Sequence, residues 1–242
     1  MKIKFKSTII ICLLTFLTIS SSAQEIVKQF TKNSYSIQKP QDLKKEFGTN
    51  KIIPSTYQPQ ILIALSYFPE LKNTYIEFRL KKTNTPLSAK PKLFGLFQSP
   101  KSRKYIITIS ETTNARLEPI LFKNLNFNAQ IGVLGHELSH ISDYISKGFR
   151  KMTNLLLIQI FSKNQVDKFE YRTDHICIHH GLGFQLLDWS KSVRDNLKID
   201  YWRGADNLQD MTKKERYLNP ETIIKTIKSH PLYKSHATAL IE

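Results

Sequence analysis

Residues 128–147 read NAQIGVLGHELSHISDYISK, with His136-Glu137-Leu138-Ser139-His140 at their centre. Apolar residues recur along this stretch at spacings of three and four, and Gly148 follows as a stop signal; they are Ile131, Leu134, Leu138, Ile141 and Ile145. Such periodicity predicts an amphipathic α-helix whose apolar stripe faces the core. On that helix the two histidines lie one turn apart on the same face.

The histidine spacing favours a metal site, because two imidazoles on one helical face can bind a single Zn²⁺ at about 2.0 Å. Glu137 lies on the flank of that face, where it can accept a proton from water without binding the metal itself. A shuffled chain of this composition would contain HExxH on the order of 0.01 times. A helix whose histidines merely cap or pair locally is the alternative, and it leaves the spacing unexplained.

A catalytic zinc site needs a third protein ligand from elsewhere in the chain. The helix itself does not continue with the glycine and further ligand of the metzincin pattern, since Asp143 and Ser146 occupy those positions. The chain contains one ExxxD sequence, Glu170 to Asp174, where a helical hairpin would return it to the HExxH helix.

In this interpretation Glu170 completes a His₂Glu site. Asp174, one turn further along the same face, accepts the second ring proton of His136 and fixes its tautomer. Two alternatives stay open at this point. Asp174 or Asp167 is itself the third ligand, or Glu170 and Asp174 belong to a solvated charged face.

HExxH, the ExxxD sequence and Ser229-His230-Pro231 follow one another in an order that resembles the gluzincin metallopeptidases. The resemblance covers about residues 128–236 and is strongest to the family of the CAAX prenyl proteases and their bacterial relatives. It implies that His136, His140 and Glu170 bind zinc, that Glu137 is the general base, and that a His-Pro segment lies near the site. Membrane-bound members carry several transmembrane helices, whereas this chain has none beyond its extreme N-terminus, so the implied protein is a soluble gluzincin-like peptidase.

Hydrolysis of this type also needs a donor aimed at the developing oxyanion. His230 is the first candidate, because it lies in the His-Pro segment, where Pro231 would stiffen the turn. Tyr201, Arg203 and His236 are alternatives. In the other interpretation, His230 merely caps the C-terminus of the preceding helix, where its protonated form suits the helix dipole.

Residues 1–23 have the pattern of a secretory signal peptide. Three lysines precede an apolar run at residues 9–19, whose 11 residues are about half of a membrane span, and small residues follow at 21–23. We therefore expect an exported protein, periplasmic or secreted, with no integral membrane segment after cleavage. Cys177 is then the only cysteine of the mature chain, so no intramolecular disulfide can form.

The chain is strongly basic, with 36 Lys and Arg against 20 Asp and Glu. Removing the three lysines of the signal peptide lowers the formal net charge from +16 to +13. No nucleic-acid-binding motif accompanies the charge, which argues against nucleic acid as a partner. Peripheral contact with an anionic envelope surface is one interpretation, and a solvated basic surface is the simpler one.

The predicted fold class is α+β and zincin-like: a small N-terminal antiparallel sheet followed by a helical half that carries the HExxH helix. Residues 24–57 read as a loosely structured lead-in, and residues 58–242 as the metallopeptidase domain. Strand patterns occupy 75–80, 93–98 and 105–110. The last of these is compatible with either an edge strand or a central strand.

Helix signals complete the pattern. Residues 60–68 and 220–228 are predicted helices, the second beginning at Asn219-Pro220, and 212–215 is a capping-box sequence. Residues 155–161 form a short apolar segment that is expected to pack in the core.

The sequence thus predicts an exported zinc metallopeptidase that acts on peptide or protein substrates. A zinc hydrolase of non-peptide amides or esters is an alternative, and so is a non-catalytic envelope protein that retains the metal site. A merely structural zinc has no use for a base, so Glu137 argues against the last of these.

Overall fold

The computed structural model describes residues 25–37, 40–92, 95, 98–100, 102–204 and 214–240. The helices are α1 (Lys32–Ile37), α2 (Pro40–Phe47), α3 (Gln58–Ser66), α4 (Phe127–Ile145), α5 (Phe149–Phe161), α6 (Lys163–His179), α7 (Gly183–Leu197) and α8 (Pro220–Ser229). The strands are β1 (Lys51–Ile52), β2 (Ile76–Lys81), β3 (Leu87–Pro91) and β4 (Tyr105–Ser110). Within these ranges, every helix is too short or too polar to span a bilayer. The predicted signal peptide lies outside the described residues.

The strands form one mixed sheet of order β1-β2-β4-β3, in which β1, β2 and β4 are parallel and β3 is antiparallel to β4. The prediction of an antiparallel sheet is therefore wrong for two of the three strand pairs. All six residues of β4 are buried, because the strand lies between two others and is covered on both faces. β4 is thus a central strand, and β3, which the sequence patterns did not indicate, is the edge.

Helix α4 is the centre of the helical half. The Asn126 side chain caps it by accepting a 2.8 Å hydrogen bond from the backbone N–H of Ala129. Fifteen of its 19 residues are buried, since α3, α6, α7 and β3 all pack against it. Gly132 permits the closest of these contacts, because a Cβ there would lie only 2.1 Å from the carbonyl oxygen of Gln185 on α7. The predicted apolar stripe is buried, except that Ile145 at the helix end is half-buried.

The segment before residue 58 is more ordered than the sequence predicted. It carries α1, α2 and β1, and polar contacts join it to α4 and α7. The backbone N–H of Phe30 donates to Oδ1 of Asn128 at 2.9 Å, and Nε2 of Gln185 donates to the carbonyl oxygen of Val27 at the same distance. This segment has few apolar residues, and its polar contacts are to residues far along the chain. Its helices and strand were therefore not predictable from the local sequence.

The remaining element predictions have mixed outcomes. The helix predicted over 60–68 begins two residues earlier, at Gln58, and α8 begins at Pro220 as predicted. In the strand predicted at 93–98, residues 93, 94, 96 and 97 lie outside the described residues, and neither Gly95 nor Gln98 is in a strand. Residues 155–161 lie within α5, but the side chains of 156–161 are outside the described set, as are residues 205–213, which include the first half of the capping-box sequence.

Candidate metal centre

The two histidines of α4 point at each other across one helical turn. Nε2 of His136 lies 3.1 Å from Nε2 of His140, and the two rings are perpendicular. Both side chains are buried, because α6 and α7 pack against α4. The two histidines therefore lie on one face of the helix, as their spacing of i and i+4 predicted. The Nε2 atom of each ring faces the other ring.

Glu170 reaches the same point from α6. Its Oε2 lies 3.2 Å from Nε2 of His136 and 3.2 Å from Nε2 of His140, so the three atoms form a nearly equilateral triangle. Among the described residues, this is the group of His, Cys, Asp and Glu side chains whose donor atoms converge closely enough to hold a metal ion.

The triangle fits a zinc-sized ion. Ligands at about 2.0–2.1 Å in tetrahedral geometry are about 3.3 Å apart, within a few tenths of an ångström of the three observed separations. The Oε2 atom of Glu170 is buried without a hydrogen bond of acceptable geometry to the described residues, which is costly for a carboxylate unless a cation neutralises it. Two imidazoles and one carboxylate are also a donor set that zinc prefers.

Asp174 orients the first histidine. Its Oδ1 accepts a 2.7 Å hydrogen bond from Nδ1 of His136, and its Oδ2 accepts another of the same length from the backbone N–H of Leu218. With the proton held on Nδ1, the lone pair of Nε2 faces the triangle. Asp174 therefore lies behind the first ligand, not in the triangle, which excludes it as the third ligand in this arrangement.

Thr173 orients the ring of His140, and the sequence did not identify it. The Thr173 hydroxyl donates to the carbonyl oxygen of Phe169 at 3.0 Å and so presents a lone pair to Nδ1 of His140 at 3.3 Å. Both imidazoles thus have an acceptor at Nδ1, and their Nε2 atoms face each other and Glu170. No motif marked Thr173, although its place between Glu170 and Asp174 put it on the correct helix.

Asp167, the other rival for third ligand, has a different role. It is buried, and its Oδ2 accepts a 2.5 Å charge-assisted hydrogen bond from Arg203. This pair anchors the chain after α7 to the first half of α6. Arg203 binds Asp167 through Nη2 and is not among the residues that line the cavity beside His136 and Glu137, so the structure does not support it as an oxyanion donor.

Electrostatic coupling within the centre is strong. Burial lowers the pKa of His136, but the hydrogen bonds and charges of Asp174 and Glu170 outweigh it and raise the pKa to about 10. Burial raises the pKa of Glu170, yet the charge of His140 and the close approach of both imidazoles at 3.2 Å bring it well below its usual range. Positive charge at this point is therefore stabilised by the surrounding carboxylates, whether it comes from protons or from a metal ion.

Glu137 lies beside the triangle and next to the sheet edge. Burial raises the pKa of the Glu137 carboxyl. The charges of the two histidines and a hydrogen bond from the backbone of Ala89 on β3 oppose this rise. The carboxylate is not one of the three converging ligands. It has the position and the raised pKa expected of a general base.

The outer edge of β3 faces Glu137 and carries no further strand among the described residues. The carbonyl oxygen of Pro86 accepts from the N–H of Ser110 on β4, and the N–H of Lys92 donates to the carbonyl oxygen of Lys104 just before β4, so the even-numbered residues between them also face β4. The backbone groups of Leu87 and Ala89 therefore point away from the sheet, toward α4. Pro91 ends this edge, because it has no N–H to donate.

A small cavity of about 50 Å³ opens between the sheet edge and the metal centre. His136 and Glu137 form its polar end. The remaining lining is mostly apolar and aromatic: Pro86, Leu87, Ile120, Leu125, Val133, Trp189, Trp202 and Tyr217.

Tyr217 is the second functional candidate that sequence reasoning missed. Its ring lies 5.6 Å from the His136 ring and stacks on Trp202 at 4.5 Å. Burial raises the pKa of its phenol well above the usual value, and the nearby charges of Glu170 and Glu137 raise it further. The hydroxyl therefore keeps its proton. The neighbouring Leu218 is held by Asp174, so the residue that orients His136 also fixes the segment that carries Tyr217.

His230 does not join this site. Its Nε2 lies 2.8 Å from Nδ1 of His179 at the end of α6, nine residues beyond Glu170 and so about 13 Å further along the helix axis. This position is too far from the triangle for His230 to donate a hydrogen bond to an oxyanion there, so that prediction is wrong. The side chain of Tyr201 is exposed, and that of His236 lies outside the described residues.

No protein-family model matches the chain, and the comparisons with curated proteins and with solved structures likewise produced no significant match. The resemblance to gluzincins therefore rests on the residues alone. What stands independently of it is an α+β fold with a buried His-His-Glu group between two helices, suited to a metal ion.

Proposed function

We propose that this protein is an exported zinc-dependent metallopeptidase. The observation that carries the proposal is the convergence of Nε2 of His136, Nε2 of His140 and Oε2 of Glu170 to within 3.2 Å, with a non-ligating Glu137 on the same helix. When bound there, Zn²⁺ would polarise a substrate carbonyl and acidify water. Export rests on the N-terminal pattern of the sequence.

The chain's own residues supply the acid–base chemistry. Glu137 accepts the proton of the attacking water and then delivers it to the leaving amine, a role that suits its raised pKa. Asp174 and Thr173 hold the histidine rings so that Nε2 faces inward throughout. Tyr217, protonated and buried beside Glu137 and His136, takes the role of oxyanion donor that the sequence had assigned to His230.

A peptide is the substrate that the sheet edge favours. An extended chain can add to β3 through the outward backbone groups of Leu87 and the carbonyl oxygen of Ala89, whose N–H is bonded to Glu137, and this brings the carbonyls of the added chain past Glu137. The apolar lining of the cavity suits a hydrophobic side chain next to the scissile bond. A non-peptide amide or ester would not use the strand edge, so the edge favours the peptidase over the alternative hydrolase.

The test is hydrolysis of casein, an unstructured protein, by the zinc-loaded mature chain. Glu137→Gln keeps the shape of the side chain but cannot accept a proton, so it should retain zinc and lose hydrolysis. Tyr217→Phe should retain zinc and lower kcat about a hundredfold, since one oxyanion donor contributes on the order of 3 kcal/mol. Full turnover by zinc-loaded Glu137→Gln would overturn the mechanism, and an inactive wild-type protein that binds zinc would favour a non-catalytic role.

A further inference from the structure

Outside the metal centre, His179 and His230 meet where α6 ends and α8 leads into Pro231, and His175 lies one helical turn before His179. His175 and His179 are four residues apart on α6, the same spacing as the pair on α4. His230 follows α8, and its ring lies 4.5 Å from that of His179. Nε2 of His230 and Nδ1 of His179 face each other at 2.8 Å.

This cluster is accessible and separate from the centre on α4. His179 is exposed, and His175 and His230 are half-buried, so an ion can reach them from solvent. The cluster lies at the C-terminal end of α6, about 13 Å along the axis from Glu170. The helix dipole favours a cation there.

We propose that His175, His179 and His230 form a second, surface-accessible binding site for a borderline transition-metal ion such as Zn²⁺, Cu²⁺ or Ni²⁺. The facing nitrogens of His179 and His230 need to separate by only about 0.5 Å to reach the spacing of two ligands on one tetrahedral ion. His175 supplies the third nitrogen by turning from its contact with the Tyr171 ring, one helical turn below His179. Imidazole is a ligand that all three metals accept.

The protonation of the cluster suits this role. Burial lowers the pKa of His230, and the neighbouring His179 lowers it further. Burial also lowers the pKa of His175. The neighbouring His179 lowers this pKa further, and the charge of Asp174 raises it. Neutral imidazoles carry the lone pairs that bind metal.

Isothermal titration with Zn²⁺ tests the site in the mature protein that already holds one equivalent of zinc. The expected result is a second binding event whose affinity falls at least tenfold in His179→Ala and in His230→Ala. Lys228→Ala, an exposed change two residues before His230, is the matched control and should leave the event unchanged. Circular dichroism and thermal unfolding establish that each variant is folded.

Glu170→Ala separates this inference from the proposed function. It should remove the first event and leave the second, and if the inner site binds nothing, the second event alone is expected in the wild type. Imidazole ¹⁵N resonances provide a further check, since the second equivalent should shift those of His175, His179 and His230. A second event with unchanged affinity in both histidine variants, or the lack of any such event in the wild type, would overturn the inference.

Discussion

Replacing Asp174 with asparagine should weaken zinc binding without removing a zinc ligand. The carboxylate accepts two hydrogen bonds of 2.7 Å, from Nδ1 of His136 and from the backbone N–H of Leu218. Asparagine has one acceptor oxygen and one amide group, so it satisfies only one of these two donors. If the amide faces His136, the imidazole must move its proton to Nε2, the atom that should bind the metal.

The expected magnitude follows from these contacts. Loss of an outer hydrogen bond to a ligating histidine costs about 10- to 100-fold in metal affinity, or about 1.4–2.8 kcal/mol. The buried side chain also loses a charge-assisted bond in the metal-free protein, which lowers the free energy of unfolding by about 2 kcal/mol. Asp174→Asn should therefore bind one zinc, but more weakly, and unfold at a lower temperature.

Competition with a chromophoric chelator measures the affinity, and urea unfolding measures the stability. Asp167→Asn is the matched control, because Asp167 is equally buried on the same helix but pairs with Arg203. It should lose about 3 kcal/mol of stability and keep the zinc affinity. The reasoning would be refuted if Asp167→Asn lost zinc while Asp174→Asn bound it with wild-type affinity.

Two further predictions concern the frame around the site. Burial alone would raise the pKa of Glu70 and lower that of His180, but their mutual hydrogen bond of 2.9 Å reverses both shifts. The stabilisation is therefore present above the unfolded pKa of Glu70 and below that of His180, and it is lost as pH rises through the folded pKa of His180. Glu70→Gln should lower Tm by about 1–2 °C at pH 5.5 and by less at pH 8.5, because a partly exposed pair contributes about 0.5 kcal/mol; an equal loss at both pH values would contradict this. Gly132→Ala should cost about 3 kcal/mol or more in urea unfolding, since its Cβ would overlap the backbone of α7, whereas Gly148→Ala, with no atom within 4 Å, should cost less than about 1 kcal/mol; similar costs for the two would show that α7 can move.

The sequence predicted best where spacing alone determines geometry. Two histidines four apart on a strongly periodic helix have one arrangement, and the arrangement of His136 and His140 follows from it. The positions of Glu170 and Asp174 could also be predicted from their spacing, because the two residues share one face of α6. Their distinct roles, one in the triangle and one behind His136, also agree with the expectation from zinc chemistry.

Prediction failed where long-range packing decides. His230 lies in a His-Pro segment that resembles the family's, but α8 places it beside His179, and nothing local to the sequence reveals this. Tyr217 reaches the site through contacts between elements distant in the chain, and Thr173 occupies a position of the ExxxD sequence that the motif does not specify. The strand β3 was missed because it follows Pro86 and ends at Pro91, and proline is typical of strand ends and turns, although an edge strand tolerates it.

The most direct test of the central claim is the position of one bound zinc ion. Crystals of the mature protein grown with one equivalent of Zn²⁺ can be measured on both sides of the zinc absorption edge. The account predicts an anomalous peak about 2.0–2.2 Å from Nε2 of His136, Nε2 of His140 and a carboxylate oxygen of Glu170. A peak that contacts Asp167 or Asp174 in place of Glu170, or a stoichiometric ion bound elsewhere with this triangle empty, would contradict it.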